Sequence, residues 1–161
     1  MAVWANVLVL MAVLVGCSAG NVQATATGGV GGRVGDIVVR DALFTFDGPI
    51  AGDTVYQPGD NAALQFTIFN EGDRADRLVR VSSPIARSAT ITGDTRIPGH
   101  QVLAAGYPGP TAPDTNAVRI VLAGLSVPIR AGFDYPVVFV FEHAGELRLE
   151  LPVENPDKPR G

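Results

Sequence analysis

Cysteine is almost missing from this 161-residue sequence, which contains one, Cys17. A single cysteine excludes an internal disulfide and any cysteine-built zinc centre. Histidine and methionine are nearly as scarce, with two of each, and this leaves little material for metal ligation or acid–base chemistry. Positive charge is also short. Twelve Lys and Arg stand against 16 Asp and Glu, a formal net charge of −4. Nucleic-acid binding needs a basic face to neutralise phosphates, so that class is disfavoured. No run shows a helical hydrophobic period long enough to specify a helix.

What is present argues for one small domain. Hydrophobic residues make up 47% of the chain and charged residues 17%, enough apolar material for a real core. Nineteen glycines and 12 prolines give a turn-rich profile with many short elements. At roughly 150 residues per domain, the length allows one domain and little else.

The amino end reads as an address. Residues 3–16, VWANVLVLMAVLVG, are apolar, and no charge precedes Arg33. This run falls short of the ~20 residues needed to span a bilayer core, but it has the length of a signal-peptide apolar region. The Lys or Arg that usually precedes such a region is missing, which points to a start upstream of Met1. Leu14-Val15-Gly16-Cys17 resembles the bacterial lipobox, in which small residues admit the processing enzymes and the cysteine thiolate takes a diacylglyceryl group. Residues 1–16 are therefore expected to be a lipoprotein signal peptide, with lipidation at Cys17 and a membrane anchor on the outer face of the plasma membrane. The competing reading is a buried core cysteine in an apolar helix.

Residues 17–35, rich in Gly, Ala and Ser or Thr, are expected to be a flexible tether. The glycines there do not meet the spacing of a phosphate-binding loop, and no strand or Gly-Lys-Ser/Thr accompanies them. From Asp36 the pattern changes to short β-type runs. Strands are expected at residues 37–46, 62–70, 78–82, 89–92, 101–104, 117–122, 136–142 and 146–153. Leu64, Phe66 and Ile68 alternate with Gln65 and Thr67, while Leu147, Leu149 and Leu151 alternate with Arg148 and Glu150. Strands at ~8–12-residue spacing in an acidic, exported chain specify an all-β antiparallel sandwich over residues 36–153. Phe66, Ile68, Phe139, Phe141, Leu147 and Leu149 are expected in its core. Residues 107–114, YPGPTAPD, form a proline-rich loop, and residues 154–161 a flexible tail.

Catalytic chemistry finds little to work with. Ser82 and Ser83 lie in VSSP rather than in a nucleophile elbow, and surface serines at a strand end are the simpler reading. His143-Ala144-Gly145-Glu146 lacks a second histidine and reads as a hairpin turn, while His100 sits in an exposed Pro-Gly turn. Asp73, Arg74, Asp76 and Arg77 form a charge cluster expected to be solvated, with partner docking as the sharper alternative.

Three blocks carry a family resemblance: VVRDALF (38–44), AALQFTIFNEGDRADRLVRVSSPIA (62–86) and VLAGLSVPIRAGFDYPVVFVFEHAGELRLELPV (121–153). Together they resemble the periplasmic copper chaperone family PCu(A)C, and the whole chain is similar to an actinobacterial lipoprotein. The resemblance implies a cupredoxin-like or immunoglobulin-like β-sandwich, and a role in holding Cu(I) outside the membrane for delivery to cytochrome oxidase. The family holds the soft ion with two His and two Met. In this chain the corresponding positions carry Thr92, Leu103, Arg119 and Val121, none of them a Cu(I) ligand, and both methionines (Met1 and Met11) fall in the signal segment. The expectation is a lipid-anchored, non-enzymatic binding or accessory module with no metal and no cofactor. Its expected partners are membrane proteins of the outer face, respiratory complexes containing cytochrome oxidase among them. The alternatives are a working copper carrier using His100 or His143, and an enzyme.

Overall fold

In the computed structural model residues 22–24, 29–46, 52–106 and 115–154 are described. In chain order the strands are β1 (Val22–Ala24), β2 (Val30–Val34), β3 (Ile37–Phe44), β4 (Thr54–Tyr56), β5 (Ala62–Asn70), β6 (Asp76–Ser82) and β7 (Ala86–Thr92), followed by β8 (Arg96–Ile97), β9 (Val102–Ala105), β10 (Thr115–Leu125), β11 (Ile129–Arg130), β12 (Asp134–Phe141) and β13 (Gly145–Pro152). The described residues contain no helix. All eight expected strand regions are strands, with ends within three residues of those expected.

Successive side chains on a strand face opposite sides, so an alternating strand gains most by laying its apolar side on a second sheet. That is the architecture. A seven-stranded sheet runs β1-β2-β3-β5-β9-β10-β7 and a four-stranded sheet runs β13-β12-β6-β8, with the small pair β11-β4 completing the fold. Pairing is antiparallel except between β9 and β10. Leu64, Phe66 and Ile68 of β5 are buried, as are Phe139 and Phe141 of β12 and Leu147, Leu149 and Leu151 of β13. Phe66 and Phe139 meet edge to face across the two sheets, with centroids 5.3 Å apart, a geometry favoured by the ring quadrupoles.

The tether expectation needs correction at its carboxyl end. Residues 30–34 are strand β2, and Val22–Ala24 pair with it as β1. A glycine run makes a strand here because the backbones approach too closely for side chains. A Cβ on Gly29 would lie 2.5 Å from Cα of Asp41, and one on Gly31 would lie 2.7 Å from the carbonyl oxygen of Val39. On the inner face a Cβ on Gly32 would meet Leu149 at 2.8 Å. The missing side chains let β13 pack directly on β2.

Two polar residues hold one end of the sandwich. Asn70 is buried, and its amide donates to the carbonyls of Arg74 (2.7 Å) and Ile97 (3.0 Å) while its Oδ1 accepts from the Gly72 amide (3.1 Å). Asp76 is also buried rather than solvated with its charged neighbours. Its Oδ1 accepts the amides of Arg77 (2.7 Å) and His143 (3.0 Å), and its Oδ2 accepts that of Ala144 (2.9 Å). Ser83 likewise turns inward, donating to the Pro136 carbonyl at 2.6 Å. A hydroxyl held in this way serves the fold and is not a surface serine. Glu154, placed in the tail by sequence, donates its amide to the Phe44 carbonyl at 2.9 Å. Residues 1–16, expected to be a signal peptide, Cys17, the proline-rich 107–114 segment and residues 155–161 lie outside the described residues.

Candidate functional site

The four positions implied by the family resemblance divide between the two faces of the large sheet. Arg119 on β10 is directly opposite Thr92 on β7, and residues opposite one another in an antiparallel pair share a face. Val121, two residues along β10, shares that face and is opposite both Thr90 of β7 and Ala63 of β5. Arg119 and Thr92 are exposed and Val121 is half-buried. Leu103 is elsewhere. Its partner on β5 is Ile68, and both are fully buried in the core. The inner face of β10 carries Val118, Ile120 and Leu122, all buried. Three of the positions thus share the outer face, and the fourth is inside the sandwich.

Over this outer face lies a cavity of about 360 Å³, lined by Thr45, Phe46, Tyr56, Asn61, Ala63, Arg119 and Val121. Its aromatic wall is fixed locally. Thr45 donates its amide to the Ala63 carbonyl at 3.1 Å. Tyr56 in turn donates its hydroxyl to the Thr45 carbonyl. Phe46 and Tyr56 meet edge to face, 5.5 Å between centroids. No pattern in the sequence marks this cavity. Phe46 ends an expected strand and Tyr56 precedes a Gln-Pro-Gly turn, so neither belongs to an alternating pattern.

The donor set does not suit Cu(I). Thr92 offers a neutral hydroxyl and Val121 hydrocarbon, and Arg119 brings a permanent positive charge where a cation would sit. His100 is exposed, and its Nε2 lies 2.8 Å from Oδ1 of Asp73. His143 occupies the β12–β13 turn, where its amide, not its ring, is tied to Asp76. Among the described residues no three His, Cys, Asp or Glu side chains group as a metal site.

The two-sheet β-sandwich places the chain in the fold class of the PCuAC domains. The chain is similar to "Copper-bound PCuAC domain from PmoF2" at a TM-score of 0.59 and 25% identity, covering 78% of this chain and 98% of that one. It superposes on "Apo PCuAC domain from PmoF1" with a TM-score of 0.60 at 24% identity, covering 78% and 99% of the two chains, a likeness of fold. Within that class the chain belongs to the LpqE-like family, whose model matches residues 37–153. Relatives from Mycobacterium tuberculosis strain H37Rv (30% identical) and Mycobacterium leprae (32% identical) each cover 95% of this chain and 88% of their own length. Both carry the name "Putative lipoprotein LpqE".

Proposed function

We propose that this chain is a lipid-anchored, extracytoplasmic accessory module that docks on a membrane protein complex and does not carry copper. The observation that supports it most is the facing pair of Arg119 and Thr92. A fixed cation and a hard hydroxyl stand where the resemblance implies imidazoles. Anchoring rests on the lipobox-like Leu14-Val15-Gly16-Cys17 and on the name of the relatives. Two or more acyl chains hold a protein to a bilayer because each buried CH₂ contributes ~0.8 kcal/mol. The docking partner follows from the resemblance, which points to respiratory complexes containing cytochrome oxidase. An exposed Phe133 in the β11–β12 turn supplies the kind of aromatic anchor that interfaces use.

The test is recovery of the full-length protein from membranes in mild detergent, with co-purifying proteins identified by mass spectrometry. Reproducible co-purification of an oxidase-containing complex, lost with Phe133→Ala or with another surface variant, supports docking. Recovery of the protein alone, under conditions that keep such complexes intact, refutes it.

A further inference from the structure

The outer-face cavity is independent of the docking reading, and its chemistry is distinct from that of a metal site. Its floor is Ala63 and Val121, opposite each other across β5 and β10, with Arg119 two residues further along β10. Its wall is the Phe46–Tyr56 edge-to-face pair. Asn61 stands at the rim, where its Oδ1 already accepts the Gly124 amide at 3.1 Å, so its NH₂ group is left as a donor. Among the described residues the lining contains no acidic side chain. Among the described residues Arg119 has no carboxylate within ion-pair distance. A cavity of about 360 Å³ lies within the range of small-molecule sites, which are typically apolar with a few converging polar groups.

We infer that this cavity binds a small organic monocarboxylate. The planar guanidinium of Arg119 matches a carboxylate through two parallel N–H donors, a fit that a lysine lacks. The Asn61 amide can add a third donor. The hydrocarbon of Ala63 and Val121 and the rings of Phe46 and Tyr56 accept the apolar body of the acid. Inorganic phosphate is a poor match, because a compact dianion would desolvate against aromatic walls with a single cation for compensation.

The probe is sodium benzoate, with benzamide as the neutral isostere and inorganic phosphate as the competing anion. Each is titrated into the full chain in non-ionic detergent while amide and side-chain NMR shifts are followed. Benzoate is expected to shift Phe46, Tyr56, Asn61 and Arg119 saturably, and benzamide and phosphate are not. Arg119→Gln should weaken benzoate binding about tenfold or more, with Arg119→Lys intermediate. Because Arg119 is exposed, the variant spectra should otherwise overlay the parent and so report folding directly. Equal binding of benzoate and benzamide, undiminished binding by Arg119→Gln, or no saturable shift in the cavity would each overturn the assignment.

Discussion

Asp76 and Ala144 lie far apart in sequence, yet the Asp76 carboxylate accepts the Ala144 amide at 2.9 Å while its other oxygen takes the amide of His143 at 3.0 Å. One buried side chain on β6 thereby fixes the turn that joins β12 to β13. Removing it strands two amides at a partly buried turn. Asp76→Ala is expected to cost about 2–3 kcal/mol in denaturant unfolding. Asp76→Asn, which keeps one acceptor oxygen, should recover part of that loss. If Asp76→Ala stays within ~0.5 kcal/mol of the parent, the turn is held by something else.

A second prediction concerns where the domain begins. Chains starting at residue 22 should melt at the same temperature as the full protein. Chains starting at Gly35 lose β2 and uncover Leu147 and Leu149, which pack against it, and should melt lower. Gly31→Ala should act in the same direction, because its Cβ would meet the Val39 carbonyl at 2.7 Å. Unchanged melting of the Gly35 start would return residues 29–34 to the status of a linker.

Leu149 tests the core itself. It is buried on β13 and touches the space above Gly32. Leu149→Ala is expected to cost ~2–5 kcal/mol through lost transfer energy and the cavity left behind. A cost below 1 kcal/mol, measured by urea titration, would mean that the β13–β2 contact does little for stability.

The split between faces makes a sharp statement about metal. Purified native protein is expected to take no stoichiometric Cu(I) from a chromogenic chelator. Thr92→His, Arg119→His and Val121→Met together should create binding, because all three positions share the outer face. Adding Leu103→Met should bring no further gain, since that side chain is enclosed in the core, and should cost less than about 1.5 kcal/mol in stability. A gain in affinity from Leu103→Met would place position 103 at the ion.

The anchor is tested by mass. Membrane-derived protein should carry acyl chains on Cys17, and Cys17→Ser should appear as uncleaved precursor or as released protein. An unmodified Cys17 in membrane-derived material would remove the anchoring proposal.

Strand alternation made most of the sandwich legible. Leu64, Phe66 and Ile68, and Leu147, Leu149 and Leu151, announce both period and burial, and those strands fall where the pattern puts them. Strand β2 was hidden because glycine carries no side chain and so no pattern. Its evidence is the close backbone contact that only three dimensions reveal. The short strands β4, β8 and β11, two or three residues each, offer too few positions for a period to show. Asp76 looked like its solvated neighbours because charge type says nothing about which amides will fold onto it. At the candidate site Thr92 and Arg119, which the resemblance groups, are register partners on β7 and β10, yet linear spacing cannot give the facing of β9 relative to β10. The resemblance groups Leu103 with residues that face the opposite side of the sheet.

The two sides of β10 are free to change at very different cost. Val118, Ile120 and Leu122 are enclosed between the sheets, so altering any of them disturbs the packing on which the whole domain depends. Arg119 and Val121, interleaved between them, look the other way, and their side chains can be exchanged with little penalty in folding. The same strand is thus half structural invariant and half interchangeable surface. The chemistry of the outer face can therefore change by a few outward-facing substitutions that leave Val118, Ile120 and Leu122 in place.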